Sequence, residues 1–108
     1  MKQAKDREAL KPRPLITDKT MQLILYSKPG CHLCEGLAEK LNQVTSLTIE
    51  LEIRDITTQS AWFDAYQYEI PVLVWRSPSG EVTLPRLSPR APVSQLEKLL
   101  NQALTASP

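Results

Sequence analysis

The only two cysteines and the only histidine of this 108-residue chain lie within four consecutive positions, as Cys31, His32 and Cys34. Two thiols separated by two residues can form and break a disulfide, and their thiolates can also bind a metal ion. A disulfide that closes so short a loop stabilises a fold little through chain entropy, which makes a purely structural role the weaker interpretation. The spacing therefore predicts redox chemistry or metal binding.

Metal binding in a single chain is disfavoured by the shortage of ligands. A structural zinc site needs four of them, typically from two such cysteine pairs. The sequence has no further cysteine or histidine, and His32 is badly placed to bind the same ion as both cysteines that flank it. We therefore predict no metal site, and a metal or iron–sulfur cluster shared between two copies stays open as an alternative.

The elements around the cysteines predict different roles for the two thiols. The apolar run at residues 21–26 predicts a buried strand, and apolar residues recur at helical spacing over 33–44. Cys31 then lies at a helix N-terminus, where free N–H groups and the helix dipole stabilise a thiolate and lower its pKa. Cys34 lies about one turn further along the same face. We therefore predict Cys31 as the nucleophile and Cys34 as the resolving cysteine.

Three charged or titratable neighbours could tune this chemistry. Lys28, three residues before Cys31, could steady the thiolate or hold a substrate carboxylate, or it could be an ordinary solvated lysine. His32, when protonated, would stabilise the Cys31 thiolate electrostatically. The carboxylate of Glu35 would disfavour a second anion at Cys34, although an ordinary exposed helical glutamate has the same sequence signature.

The remaining pattern predicts the elements that complete the domain. Residues 47–53 alternate between apolar and polar, which predicts a half-buried edge strand. A second helix that extends to about Glu69 is predicted by the spacing of Trp62, Ala65 and Tyr66, which would form its apolar face. We expect the aromatic residues to pack in the core.

A second apolar run, residues 70–75, opens with a proline, which the first residue of a strand tolerates. Residues 77–80 predict a hairpin turn, and 81–84 the returning strand. Ser94 and Glu97 match a capping box before the last helix. The order β-α-β-α-β-β-α predicts an α/β fold, with a four-stranded mixed sheet flanked by three helices.

Net charge and the distribution of apolar residues indicate which partners and which cellular compartment to expect. A net charge of +1 argues against a nucleic-acid partner. No apolar run approaches the roughly 20 residues that a membrane helix needs, and the charged N-terminus lacks the apolar segment of a secretory signal. We therefore predict a cytoplasmic monomer with a flexible tail over residues 1–20 and one domain over 21–108.

The chain resembles the glutaredoxins of the thioredoxin superfamily. The resemblance rests on the sequence Tyr-Ser-Lys-Pro-Gly-Cys-His-Leu-Cys at residues 26–34 and on Ile70-Pro71-Val72 further along the chain. With the order of elements, it covers about residues 21–104 and implies a thioredoxin-like fold. The sequence around the cysteines is most similar to that of the small glutaredoxin-like proteins of bacteria and cyanobacteria.

The resemblance implies a thiol–disulfide oxidoreductase that reduces glutathione mixed disulfides or protein disulfides, linked to glutathione or thioredoxin. Glutathione would be a co-substrate, with no covalently bound cofactor. It also implies that Pro71 is cis and lies beside Cys31, and that the backbone of Ile70 pairs with an extended thiol substrate. Lys28 would help to hold glutathione.

Three departures from the glutaredoxin pattern leave both substrate classes open. His32 and Leu33 replace the usual Pro-Tyr between the cysteines, and Glu35 replaces a basic residue. Residues 87–92 contain no match for the glycine pair and acidic residues that bind the amino end of glutathione. The alternative function is therefore a module that binds glutathione or an iron–sulfur cluster, or a redox-sensing thioredoxin-like adaptor with little turnover.

Overall fold

The computed structural model describes residues 20–106 of the chain, which contain four strands and three α-helices. In chain order they are β1 (Thr20–Ser27), α1 (His32–Gln43), β2 (Thr48–Asp55), α2 (Ser60–Tyr66), β3 (Val72–Ser77), β4 (Gly80–Thr83) and α3 (Val93–Ala106). The predicted order β-α-β-α-β-β-α is confirmed. None of the helices in this part of the chain is long and apolar enough to cross a membrane. The predicted tail lies outside the described residues, except for Thr20, which begins β1.

The four strands form one mixed sheet in the order β2-β1-β3-β4. β1 pairs with β2 in parallel and with β3 antiparallel, and β3 and β4 form an antiparallel hairpin across the predicted turn. The α1 crossover makes β1 and β2 parallel neighbours, as the strand-helix-strand pattern predicts. β1 is therefore a central strand, and its C-terminal end leads directly into the cysteine pair.

Side chains of β1 alternate between two apolar clusters, one on each face of the sheet. Met21, Leu23 and Leu25 pack with side chains of α1 and α3, including Leu41 and Leu100. On the opposite face the cluster contains Ile24, Tyr26, Ile56, Val72 and Val74, with Trp62, Tyr66 and Ile70 against it. Helices α1 and α3 thus cover one face and α2 the other, which explains why β1 is apolar on both sides.

Helix α2 is held by aromatic contacts, although none of its side chains is fully buried. The Tyr26 ring lies 4.4 Å from that of Tyr66 and 5.9 Å from that of Trp62, measured between centroids. The helix ends at Tyr66 and not near Glu69, because the N–H groups of Glu69 and Ile70 both donate to the Tyr66 carbonyl oxygen. Ala65, which we predicted on the apolar face, is exposed.

β2 lies at an edge of the sheet, as predicted, but its apolar side is only partly covered. Ile49 and Leu51 pack against the cluster beneath α1 and α3. Ile53 extends beyond this cover, and its side chain is 56% exposed.

The predicted capping box at the start of α3 is wrong. The helix begins at Val93, so Ser94 lies inside its first turn, and the Pro92 carbonyl oxygen accepts hydrogen bonds from the N–H groups of Gln95 and Leu96. The Glu97 carboxylate instead accepts hydrogen bonds from the N–H groups of Thr45 and Ser46, at 3.2 and 3.1 Å. These bonds, with Ser46 contributing most, lower the pKa of Glu97 and join α3 to the turn that follows α1.

Candidate functional site

Cys31 is the N-cap residue of α1, as the sequence predicts. The turn between β1 and α1 contains Gly30 at a φ of +79°, in the left-handed region that favours glycine. The Cys31 N–H closes this turn by donating to the Lys28 carbonyl oxygen at 3.2 Å. The Cys31 sulfur accepts from the backbone N–H of Cys34, also at 3.2 Å. A free helical N–H group therefore points at the sulfur where a thiolate would form.

The two sulfur atoms are joined as a disulfide, with 5.3 Å between the Cα atoms of Cys31 and Cys34. Their surroundings differ, because Cys34 is 2% exposed whereas Cys31 is partly exposed. A reagent from solvent therefore reaches the Cys31 sulfur first, and the Cys34 sulfur lies behind it within bonding range. This asymmetry is the one that an attacking and a resolving thiol need.

The charged neighbours predicted around the cysteines are exposed to solvent. The His32 side chain is 93% exposed, and its Nδ1 atom lies 3.5 Å from Oε1 of Glu35. A protonated His32 therefore has a carboxylate beside it. Lys28 is exposed in the turn before the helix. Within the described part of the chain, no three side chains of the types His, Cys, Asp or Glu come together as a group that could hold a metal ion.

The peptide bond between Ile70 and Pro71 is cis, as the resemblance implied. Ile70 packs against the cluster that contains Tyr26 and Val72. Its N–H donates to the Tyr66 carbonyl oxygen at 3.2 Å, so this donor is already used within the chain. Pairing of an extended substrate through the Ile70 N–H would therefore require that internal bond to be exchanged.

An open cavity of about 320 Å³ lies between α1, Pro71 and the loop that joins β4 to α3, and neither cysteine is among the residues that line it. We call it the Leu33–Leu87 groove, and its walls include Leu33, Leu37, Lys40, Pro71, Arg86 and Leu87. His32 also lines it, so the groove brings together two of the predicted substrate-binding residues, His32 and Pro71. The other two, Lys28 and Ile70, are not part of its walls.

The loop wall of the groove is held by two basic residues that sequence reasoning did not select. Nζ of Lys40 donates to the carbonyl oxygens of Pro89 and Ala91, at 2.7 Å each. Nη1 of Arg86 donates to the carbonyl oxygen of Glu69. The sequence carried no signal for either contact, since the acceptors are backbone atoms far along the chain. An apolar residue, Leu87, within a proline-rich connection is the signal that could have indicated this wall.

Comparisons with known proteins agree with this fold. Residues 22–101 match a family described as Glutaredoxin-like domain (DUF836). Among solved structures, the chain is similar to that of the Northeast Structural Genomics target protein XcR50 from X. campestris. The two share 30% sequence identity with a TM-score of 0.52, over 80% of this chain and 99% of that chain. No curated protein matches the chain.

The family match runs from β1 into α3 and includes both cysteines and Pro71. The mixed four-stranded sheet and its three helices confirm the predicted thioredoxin-like fold. Two cysteines at disulfide distance within this domain indicate a redox function. The chain belongs to the glutaredoxin-like family of the thioredoxin superfamily.

Proposed function

We propose that the protein is a thiol–disulfide oxidoreductase in which Cys31 attacks and Cys34 resolves. The observation that carries the proposal is the asymmetry of the pair at the start of α1. Cys31 is partly exposed and accepts a backbone hydrogen bond on its sulfur, whereas Cys34 is buried within bonding range. The helix N-terminus favours a thiolate at Cys31, the N-cap residue, whereas burial opposes a thiolate at Cys34.

In the proposed reaction, the Cys31 thiolate attacks one sulfur of a substrate disulfide. A new S–S bond forms, the substrate S–S bond breaks, and the leaving sulfur takes the electron pair and then a proton. The Cys34 thiolate next attacks the Cys31 sulfur and displaces the second substrate thiol. The substrate is reduced by two electrons, and the chain is left with the Cys31–Cys34 disulfide. Two donor thiols then reduce the Cys31–Cys34 disulfide by the same exchange and are themselves joined as a disulfide.

Glutathione mixed disulfides and protein disulfides are the proposed substrates, and glutathione or a thioredoxin is the proposed donor. We propose that the protein acts as a cytoplasmic monomer and uses neither a covalently bound cofactor nor a metal. Lys28 and His32 are proposed to act on the bound partner and on the Cys31 thiolate, because both lie exposed within three residues of that sulfur. Pro71 is proposed to contact the partner as a wall of the adjoining groove.

Substitution of each cysteine tests the proposal. Cys31→Ser is expected to abolish reduction of a small disulfide such as bis(2-hydroxyethyl) disulfide, with the donor system held constant. Cys34→Ser is expected to accumulate a mixed disulfide on Cys31 that mass spectrometry detects, because the resolving thiol is absent. An adaptor with little turnover would instead reduce no disulfide in the unsubstituted chain, and that result would overturn the proposal.

A further inference from the structure

Arg86 lies on the loop that joins β4 to α3, and a hydrogen bond connects it to the segment that leads into Pro71. Its Nη1 atom donates to the carbonyl oxygen of Glu69. Pro71 lines a cavity together with His32, the residue that follows Cys31. We propose that Arg86 is a positioning residue for the disulfide exchange, because it fixes Pro71 where a partner approaches Cys31. The proposal rests on the proposed oxidoreductase function.

Two cavities adjoin Pro71, so packing alone does not fix its position. One is the Leu33–Leu87 groove, and the other has a volume of about 340 Å³ and extends to side chains of α2 and α3. Arg86 lines both cavities as well. A side chain with open space on two sides lacks the close contacts that hold a core residue in one position. A hydrogen bond from the neighbouring loop can therefore decide where Pro71 lies.

The two residues before Pro71 are held by two different elements. The N–H groups of Glu69 and Ile70 donate to the Tyr66 carbonyl oxygen, at 2.8 and 3.2 Å, which joins them to the end of α2. The bond from Arg86 joins the same segment to the loop before α3. Because the guanidinium is charged, this bond is stronger than one between neutral groups. Without Arg86, the described hydrogen bonds would attach the segment to α2 alone.

The loop that carries Arg86 is itself anchored on both sides of this residue. Before it, the Leu84 N–H donates to a carbonyl oxygen of β3 at 2.9 Å. After it, Nζ of Lys40 holds the carbonyl oxygens of Pro89 and Ala91, at 2.7 Å each. Arg86 therefore connects the segment before Pro71 to a support that is fixed to the sheet and to α1.

The test compares two reactions of Cys31 in the full chain with the Cys34→Ser substitution. The thiolate attacks a disulfide of insulin, which forms a mixed disulfide and releases one insulin thiol, or it is alkylated by iodoacetamide. Insulin must fit the surface around Cys31, whereas iodoacetamide needs only the sulfur. In Arg86→Met, the ratio of the insulin rate constant to the alkylation rate constant should fall about tenfold, because a misplacement of about 1 Å can cost more than that.

Three further variants separate positioning from charge and stability. Arg90→Met is the matched control, since Arg90 is exposed on the same loop and its replacement removes the same charge. Leu100→Ala weakens the larger apolar cluster without changing the loop sequence. Both should keep the ratio of the Cys34→Ser chain. Arg86→Lys retains a charged donor and should recover part of the ratio that Arg86→Met loses.

Salt distinguishes a hydrogen bond within the chain from attraction between Arg86 and insulin. The loss in Arg86→Met should persist in about 1 M salt, where exposed charges are screened beyond about 3 Å. A loss that disappears in salt would assign Arg86 a direct electrostatic effect on the partner and contradict the inference.

The remaining outcomes separate this inference from the function on which it rests. An unchanged ratio in Arg86→Met, an equal loss in Arg90→Met or Leu100→Ala, or no recovery in Arg86→Lys would overturn the inference and leave the oxidoreductase intact. Failure of Cys31 to form a mixed disulfide with insulin or with a small activated disulfide, in the chain that carries Cys34→Ser alone, would overturn the proposed function itself.

Discussion

At the residue scale, the surroundings of the two sulfur atoms decide what each cysteine can do. The Cys31 sulfur faces solvent on one side and the Cys34 N–H on the other, at 3.2 Å. The Cys34 sulfur lies in the interior, where apolar surroundings oppose a thiolate. We therefore expect reactivity toward external reagents to depend on Cys31, and Cys34 to act only on a partner already bonded to Cys31.

This difference predicts the acidity of the Cys31 thiol. In Cys34→Ser the backbone N–H that donates to the Cys31 sulfur is kept, so the pKa of Cys31 should lie below the free-cysteine value of about 8.5. The rate of alkylation by iodoacetamide, measured against pH, gives this pKa directly. In the reciprocal variant Cys31→Ser, alkylation of Cys34 should be slow at every pH because that thiol is buried. A Cys31 pKa at or above the free-cysteine value would contradict the role of the helix N-terminus.

At the element scale, contacts between α1 and the segments around α3 fix the site. Lys40 holds the loop before α3, and Glu97 on α3 holds the turn after α1. Both contacts lie near the C-terminal end of α1 and the N-terminal end of α3. The Lys40 contact also holds the loop that forms one wall of the Leu33–Leu87 groove.

The Glu97 contact makes this interface sensitive to pH. Hydrogen bonds from Ser46 and Thr45 lower the pKa of Glu97 in the folded chain. A lowered folded pKa means that this stabilisation is present above the unfolded pKa of about 4.3, and is lost as the pH falls through the folded value. Glu97→Gln should therefore lower the free energy of unfolding at about pH 7 and have a smaller effect at about pH 3.

Urea unfolding of both chains at the two pH values measures this effect. Glu39→Gln is a suitable control, since Glu39 is exposed on α1 and the substitution removes the same charge. An effect of Glu97→Gln that is equal at both pH values would show that the carboxylate charge does not contribute.

The sequence predicts local structure here better than it predicts contacts between distant elements. The strand at residues 21–26 and the helix start at Cys31 follow from apolar periodicity and turn chemistry, which are local. The sequence predicts Glu97 in a capping box and does not indicate the contact of Lys40, because the partners of both residues are backbone atoms about 50 positions away. Ile53 shows the same limit. The alternation of apolar and polar residues predicts the face of the sheet on which Ile53 lies, but not whether the helices extend far enough to cover it.

At the scale of the whole molecule, stability depends on the two apolar clusters that β1 joins. Leu100 on α3 is fully buried in the larger cluster, with 0% of its surface exposed. Leu100→Ala should lower the free energy of unfolding by about 3 kcal/mol, from lost burial and the cavity left behind. Leu33→Ala, at a side chain that is 53% exposed, should cost less than about 1 kcal/mol.

Denaturant unfolding of the oxidised chain measures both values. The slope of the unfolding free energy against denaturant concentration is compared between the variants and the unsubstituted chain, to exclude a change in the unfolded state. Similar costs for the two substitutions would contradict the assignment of α3 to the core. They would also contradict the packing of α3 with α1, the helix that begins at the redox pair.

The edge position of β2 has a consequence for how the protein behaves at high concentration. An eight-residue strand at the border of a sheet offers backbone groups on which another strand could build, and this is a common route to fibrous aggregates. In β2, Glu50, Glu52, Arg54 and Asp55 place charges along most of that border. Two copies that met edge to edge would bring together strands that each carry three carboxylates and one arginine, and the excess of negative charge opposes growth. The charges of β2 thereby favour solubility over strand-by-strand association.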